Sequence, residues 1–312
     1  MSSKIRVALL AGGRSGEREV SLKGAVEVEK ALNPEKYAVR RYDPAIDLGR
    51  LVAEAAEIDV AFILLHGPFG EDGTVQGFLD LLSIPYQGSG VLGSALAMNK
   101  HLAKIHYQRA GLTVPDWLLV TPADLVDEAA LAAKAPLPAV IKPVGQGSSL
   151  GMSIATDRSE LLNGLKAAFQ YGDQVMIEQF IKGREITGGV LGNDQLVALP
   201  LVEVIPGDQY AFFNYEAKYQ PGASREICPA DFDADTTARA RDCAIRAHRA
   251  LQLRGYSRTD MMVAPDGTIY IIETNTIPGM TPTSLLPQAA KVHGLDFGQL
   301  LDRLIDLALE KS

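Results

Sequence analysis

Cysteine is scarce in this sequence: Cys228 and Cys243 are the only two among 312 residues, and they form no CxxC pair or disulfide pattern. That excludes a disulfide-stapled scaffold and favours a reducing, cytoplasmic setting. Positive charge is also in deficit. Thirty Lys and Arg against 38 Asp and Glu leave a net charge of −8, with the basic residues scattered, so nucleic acid is not an expected partner. An acidic balance still admits a phosphorylated ligand in a local basic cleft. Long apolar runs are missing as well. The run over residues 5–11 is short and carries Arg6, which reads as a first strand rather than a signal peptide, and no stretch is long enough to span a membrane. What remains is an ordinary soluble composition, 47% hydrophobic and 22% charged, with length for two or three domains.

The first third alternates strand and helix patterns. Strands are expected over 5–10, 37–42 and 60–65, and helices over 17–32 and 48–56. A β-α-β-α-β series implies a parallel sheet, whose ligands lie beyond the carboxyl ends of its strands. Two loops rich in glycine and charge leave such ends, at 12–18 and 66–77, and a short element follows at 84–87. From Met98 the pattern changes. A helix containing Lys100 runs to residue 110, and strands are expected over 117–120, 139–142, 152–155 and 174–178, with helices over 123–135 and 159–171. Beyond 183 come strands over 186–191 and 196–204, a polar-aromatic loop over 206–224, a helix over 234–251, a hairpin and two closing helices. Changes of character near 97 and 183 divide the chain into 1–97, 98–183 and 184–312.

The hairpin organises the rest. Asp266-Gly267 stands between alternating strand formers, a strong two-residue turn signal. Counting outward from that turn sets Asp260 opposite Glu273 and Arg258 opposite Asn275, all four on one face. The hairpin is otherwise apolar, so it reads as central and buried. Opposed carboxylates repel, and a bound cation relieves them; an Asp/Glu/Asn oxygen set suits Mg²⁺ better than zinc. An Arg258–carboxylate ion pair is the alternative.

Three further stretches carry chemistry. In 145–151, Gly-Gln-Gly-Ser-Ser-Leu-Gly, glycines let backbone N–H groups approach a phosphate while Ser148 and Ser149 add donors, and Lys142 supplies a cation. The same residues spell Gly-x-Ser-x-Gly around Ser149, which admits a serine-hydrolase reading with Asp260 and His293. His66 opens a loop with Glu71 and Asp72, suited to a polar contact with a carboxylate or phosphate, or to capping the helix that starts at Thr74. Lys218 and Tyr219 lie in the long loop, where a binding role competes with a solvated one. A carboxylate pair, a glycine/serine loop and lysines together are the parts of a phosphoryl-transfer site.

These residues resemble the ATP-grasp superfamily and, within it, the D-alanine–D-alanine ligase family. The resemblance rests on Gly12-Gly13 with 15–21, His66-Gly67 through Gln76-Gly77, 86–90, Lys142-Pro143 with 147–149, 215–219, and 273–275 with 278–281. It implies an α/β protein with an ATP-grasp fold and an N-terminal Rossmann-like parallel-sheet domain, and ligation of two D-alanines at the expense of ATP through a D-alanyl phosphate. The N-terminal domain would hold substrate, the central one nucleotide, and the C-terminal one the metal and second substrate. Two Mg²⁺ (or Mn²⁺) ions would sit on Asp260, Glu273 and Asn275. Lys100, Lys142, Ser149 and Lys218 would meet phosphates, Glu178 and the backbone at Gln179–Ile181 the adenine, and Glu185 the ribose. Glu17 would hold the first D-alanine's ammonium, with His66 nearby. Arg258 and the Gly279 backbone would form an oxyanion site, and Ser284 and Leu285 would take the second carboxylate. Glu17, Ser148 and Tyr219 match a hydrogen-bonded triad, and Tyr219 favours an amine as nucleophile. The resemblance also implies a homodimer. Gln146 stands where relatives carry charge. Readings left open beside the ligase are another ATP-grasp ligase and a non-catalytic nucleotide-binding module.

Overall fold

The computed structural model describes residues 4–207 and 224–310. Three sheets follow one another along the chain. The first is parallel, with β1 (Ile5–Leu10), β2 (Tyr37–Tyr42) and β3 (Val60–Ile63) in the order β2-β1-β3. The inner strand β1 and its neighbour β3 are near-continuous apolar runs because helices cover the sheet, whereas the edge strand β2 carries Arg40 and Arg41 between its buried ends, Tyr37 and Tyr42. Helix α1 (Arg18–Ala31) buries Ala25 and Val28 against it, and α2 (Leu48–Ala53) contributes Leu51. Two helices, α3 (Thr74–Leu81) and α4 (Val91–Met98), lead out of this part.

The second sheet is antiparallel: β4 (Trp117–Val120), β5 (Ala139–Pro143), β6 (Ser153–Ala155) and β7 (Val175–Gln179), in the order β4-β7-β5-β6. It is introduced by α5 (Lys100–Arg109), with α6 (Glu128–Lys134) and α7 (Arg158–Ala168) on one face. Leu161, Leu165 and Ala168 of α7 pack on Ile141, Val175 and Ile177. The opposite face carries Val140, Lys142 and Glu178.

The third sheet holds β8 (Arg184–Leu191), β9 (Val197–Ala198), β10 (Val202–Pro206), β11 (Ser224–Ile227), β12 (Tyr256–Val263) and β13 (Ile269–Asn275). Their order is β11-β10-β8-β12-β13, with β9 beside β8. Helix α8 (Ala234–Ala250) lays Ala240, Ala244 and Ala247 on Ile186, Val190 and Met261. The approach is close: a Cβ at Gly188 would lie 2.8 Å from the Ala244 methyl. Helices α9 (Leu285–His293) and α10 (Phe297–Leu309) return to the first sheet, where Leu300, Leu304 and Ile305 join the core of Val7, Leu9 and Phe62.

Several expectations need correction. The strand expected over 196–204 is broken into β9 and β10, with Pro200, which has no N–H to offer a ladder, between them. The element at 84–87 gives only a parallel bridge from Tyr86 to Ala61. The hairpin is not central: β13 is the last strand on its side of the sheet. Its turn is longer than two residues, because Ala264 rather than Pro265 bonds to Thr268, and Met261 faces Ile271. A bulge after Asp260 then absorbs Ile272 and restores the expected pairs, Asp260 with Glu273 and Arg258 with Asn275.

Candidate active site

A cleft of about 580 Å³ opens between the second and third sheets. Val140, Ile154 and Phe180 form one apolar wall, and Val204, Met262 and Ile272 the other. Lys100, Lys142, Ser149, Glu178, Glu185, Asp260 and Glu273 line its polar parts, with Gln179 and Ile181 at the mouth of β7. Glu185 projects from β8, paired with Met262 and Val204. Apolar walls with a few convergent polar groups are the general form of a nucleotide-sized site.

Strand register explains the charges. On one face of the second sheet Trp117, Glu178 and Val140 stand in a row, and Lys142 lies diagonally from Glu178. Lys142 Nζ reaches Glu178 Oε1 at 2.7 Å, and Lys104 Nζ reaches Oε2 at 2.6 Å. Burial alone pushes the Glu178 pKa up; the two ammonium groups reverse that and hold it below the usual carboxylate range. Lys104 comes from α5, one turn after Lys100, so both face the site. Lys100 Nζ donates to the Gln146 carbonyl at 2.6 Å and pairs with Glu273 Oε2 at 3.2 Å, tying the glycine/serine loop to β13.

The bulge has a chemical result. Ile272 and Glu273 both turn toward the cleft, breaking the alternation of β13, so the strand supplies an apolar wall and a carboxylate in succession. Arg258 holds Asp260 through two bonds of 2.8 Å, from Nε and Nη2. Asn275 Oδ1 accepts the Ile277 N–H at 2.9 Å and keeps a second lone pair. Among the described residues no three His, Cys, Asp or Glu side chains converge on a cation position. Two opposed carboxylates and an amide oxygen fit a hard cation that takes its remaining ligands from phosphate and water, as Mg²⁺ and Mn²⁺ do.

Beside the cleft, Glu17 sits in a second corner. It is buried at the N-cap of α1, and Ser148 donates its hydroxyl to Glu17 Oε1. Ser148 and Ser149 both adopt left-handed backbone, φ 49° and 58°, which aims the loop at α1. His66 is buried nearby; burial lowers its pKa and keeps the ring neutral. Burial, and then the Glu17 charge, push the Glu71 carboxyl up to about 8. Arg258 lies within electrostatic reach of both His66 and Glu71. At the next turn Ser284 stands at the N-cap position of α9 without capping it through its side chain; its Oγ accepts the Thr281 N–H at 3.1 Å, and a Cβ at Gly279 would stand 3.1 Å from that oxygen. Leu285 begins the helix and is buried.

The expected residues thus fall into one cleft and one adjoining corner. Lys218 and Tyr219 lie outside the described residues. The hydrolase reading fails: Ser149 turns between two strands, Asp260 is engaged by Arg258, and His293 is exposed at the far end of α9. Lys104 went unanticipated, although its spacing of four from Lys100 places it on the same helical face.

Two opposing sheets gripping a nucleotide-sized cleft, with lysines on one side and paired carboxylates on the other, define an ATP-grasp enzyme. The family description "D-ala D-ala ligase C-terminus" matches residues 106–306, and its N-terminal counterpart matches 43–89. A relative from Desulfotalea psychrophila, named D-alanine--D-alanine ligase, is 60% identical over all of this chain and 97% of its own length. A solved D-alanine--D-alanine ligase from Bacillus anthracis, complexed with ATP, superposes with a TM-score of 0.83 at 32% identity, covering 98% of this chain and 97% of that one. The VanG D-Ala:D-Ser ligase from Enterococcus faecalis gives 0.84 at 31%, covering 98% and 100%. The chain belongs to the D-alanine–D-alanine ligase family.

Proposed function

We propose that this enzyme joins two D-alanines into D-alanyl-D-alanine, releasing ADP and phosphate, as a cytoplasmic step of peptidoglycan synthesis. The observation that carries the reading is the Asp260–Glu273 pair at the head of a nucleotide-sized cleft, with Lys100 paired to Glu273 and Lys142 on the facing sheet. Adenine lies between the apolar walls, against Glu178 and the backbone at 179–181, with Glu185 at the ribose. Lys100, Lys142, Ser149 and Lys218 take the phosphates. Asp260, Glu273 and Asn275 would hold two Mg²⁺ or Mn²⁺ ions, whose charge would neutralise the phosphates and the leaving ADP.

The first D-alanine's ammonium rests on Glu17, near His66, and its carboxylate faces the γ-phosphate. That carboxylate attacks phosphorus, ADP leaves, and a D-alanyl phosphate results. The second D-alanine is held by its carboxylate at Ser284, Leu285 and the N-terminus of α9, which favours an anion. Its amine attacks the acyl carbon, and Arg258 with the Gly279 N–H stabilises the developing oxyanion. Collapse expels phosphate. Ser148 completes the Glu17 corner, and Tyr219, which lies outside the described residues, carries the preference for an amine over a hydroxyl nucleophile that the family resemblance implies.

The units 1–97, 98–183 and 184–312 supply substrate corner, nucleotide cleft and metal strand. Leu81, Val91 and Leu92, exposed on the first unit, suit pairing into a homodimer. Among the described residues no helix is long and apolar enough to cross a membrane.

The test is ADP release from Mg-ATP with and without D-alanine, with mass spectrometry of the product. Dipeptide formation that is lost in Glu273→Gln supports the reaction and the metal role. Turnover confined to D-serine or another acceptor, as in the VanG neighbour's name, keeps the chemistry and moves the specificity.

A further inference from the structure

Lys104 has no part in the reaction above, yet it is the most deeply enclosed cation of the site, with 0% side-chain exposure. Its ammonium lies 2.6 Å from Glu178 Oε2 and 5.6 Å from the centre of the Trp117 ring. Trp117 opposes Glu178 across the strand pair and donates its indole N–H to His101 Nδ1 at 2.9 Å. Burial lowers the Lys104 pKa to about 8, so the position is costly for an ammonium. An apolar side chain of similar length would fill the same space without that penalty.

Glu178 supplies the reason. Its Oε1 is held by Lys142 and its Oε2 by Lys104. The proposed chemistry turns Lys142 toward the phosphates and asks Oε1 to accept a hydrogen bond from the adenine amino group. A carboxyl only 2% exposed, left without a counter-charge, would take up a proton and become a donor on one oxygen. We infer that Lys104 is the resident counter-charge that keeps Glu178 ionised while Lys142 serves the phosphates, so that the site accepts a 6-amino purine and rejects a 6-oxo one. Lys104 is therefore a positioning residue, acting on the nucleotide only through Glu178. The inference rests on the placement of the base at Glu178 given under the proposed function.

The test compares kcat/KM for ATP and for inosine triphosphate, with magnesium and saturating D-alanine, in wild type, Glu178→Gln, Lys104→Met and the double variant. A glutamine at 178 offers a donor or an acceptor, so E178Q should lower the ATP preference about 10- to 100-fold, the worth of a charge-assisted hydrogen bond. K104M should lower it by a similar factor, chiefly by raising KM for ATP, while inosine triphosphate is used as well as before. The double variant should match E178Q alone, because without the carboxylate Lys104 has nothing to neutralise, and it should fold even where K104M does not, because Glu178 is no longer left short of a counter-charge. A K104M enzyme that loses both nucleotides equally, or a double variant whose preference falls by the product of the two effects, overturns the role of Lys104 alone. An unchanged preference in E178Q removes the base from Glu178, and the inference falls with that reading.

Discussion

Two glycines flank the Glu17 carboxylate, and replacing them separates substrate binding from stability. A Cβ at residue 147 would stand 3.1 Å from Glu17 Oε2, and one at residue 67 would stand 2.8 Å away. Ordinary contact begins at 3.4 Å, so the carboxylate must yield by about 0.3 Å in Gly147→Ala and about 0.6 Å in Gly67→Ala (3.4 − 3.1 and 3.4 − 2.8). Gly67 also has φ +71°, a left-handed conformation. Alanine there costs about 1–2 kcal/mol. Gly147 carries no such backbone constraint. Each kcal/mol in a chain of a few hundred residues moves Tm by about 2–4 °C. Gly147→Ala should therefore melt like wild type and lose several-fold in kcat/KM for the first D-alanine. Gly67→Ala should melt a few degrees lower and lose roughly ten- to a hundredfold, since misplacing a positioning group by about 1 Å costs on the order of a hundredfold. Phosphate release across a D-alanine titration, with calorimetry beside it, reads both quantities. If Glu17→Gln abolishes D-alanine use while Gly147→Ala and Gly67→Ala leave it untouched, the carboxylate is not confined by these two backbones.

Glu71 gives a pH dependence with a definite sign. Its carboxyl, pushed to about 8 by burial and by Glu17, keeps in the folded chain a proton that the unfolded chain releases near pH 4.5. Its stabilising contribution is complete below about pH 4.5 and is lost as pH rises toward 8. Glu71→Gln should thus gain Tm over wild type progressively across that window and hold the gain above it, a few kcal/mol at most; a constant difference across pH sinks the assignment. Deleting Ile272 removes the bulge while leaving Glu273 opposite Asp260, because the turn-proximal register continues through it. The deletion should fold, keep its KM for D-alanine, and bind Mg-ATP several-fold more weakly in a calorimetric titration through loss of an apolar wall. A failure to fold would mean that the extra twist of the bulge is needed to close the sheet.

Much of this molecule can be read from its residues, though not always for the reason first given. The parallel sheet follows from three strand patterns, of which β1 and β3 are apolar runs, separated by helical periods, and the three strands start where the sequence places them. The facing of Asp260 and Glu273 also holds, but through two departures that cancel. The turn is one residue longer than Asp266-Gly267 implies, which shifts the ladder by one, and the bulge at Ile272 shifts it back. Side-chain alternation along one strand carries no sign of such a bulge, since its cause is the partner strand. The edge position of β13 was hidden for a similar reason: α5 and the Thr113 carbonyl cover that edge, so its residues are as apolar as those of a central strand. The role of Lys104 is not legible in the sequence, because a lysine on a helix ordinarily faces water. Only the meeting of α5 with β7 gives it a carboxylate to neutralise.

The pairing of charges in the cleft has a consequence for selectivity among anions. Lys100, Lys104, Lys142 and Arg258 face Glu178, Asp260 and Glu273, four cations to three carboxylates. Without nucleotide every carboxylate is paired and one cation is left in excess, so the cleft behaves as an ion exchanger close to its self-neutralised form. A phosphate arriving alone would have to strip a lysine from a carboxylate and leave that carboxylate bare. A nucleotide arriving with its divalent cation brings a replacement for each ion it displaces, the anion for the lysines and the cation for Asp260 and Glu273. If the proposed metal role holds, free phosphate and metal-free ATP should therefore compete poorly with Mg-ATP, a preference set by counter-ion balance before any step of catalysis begins.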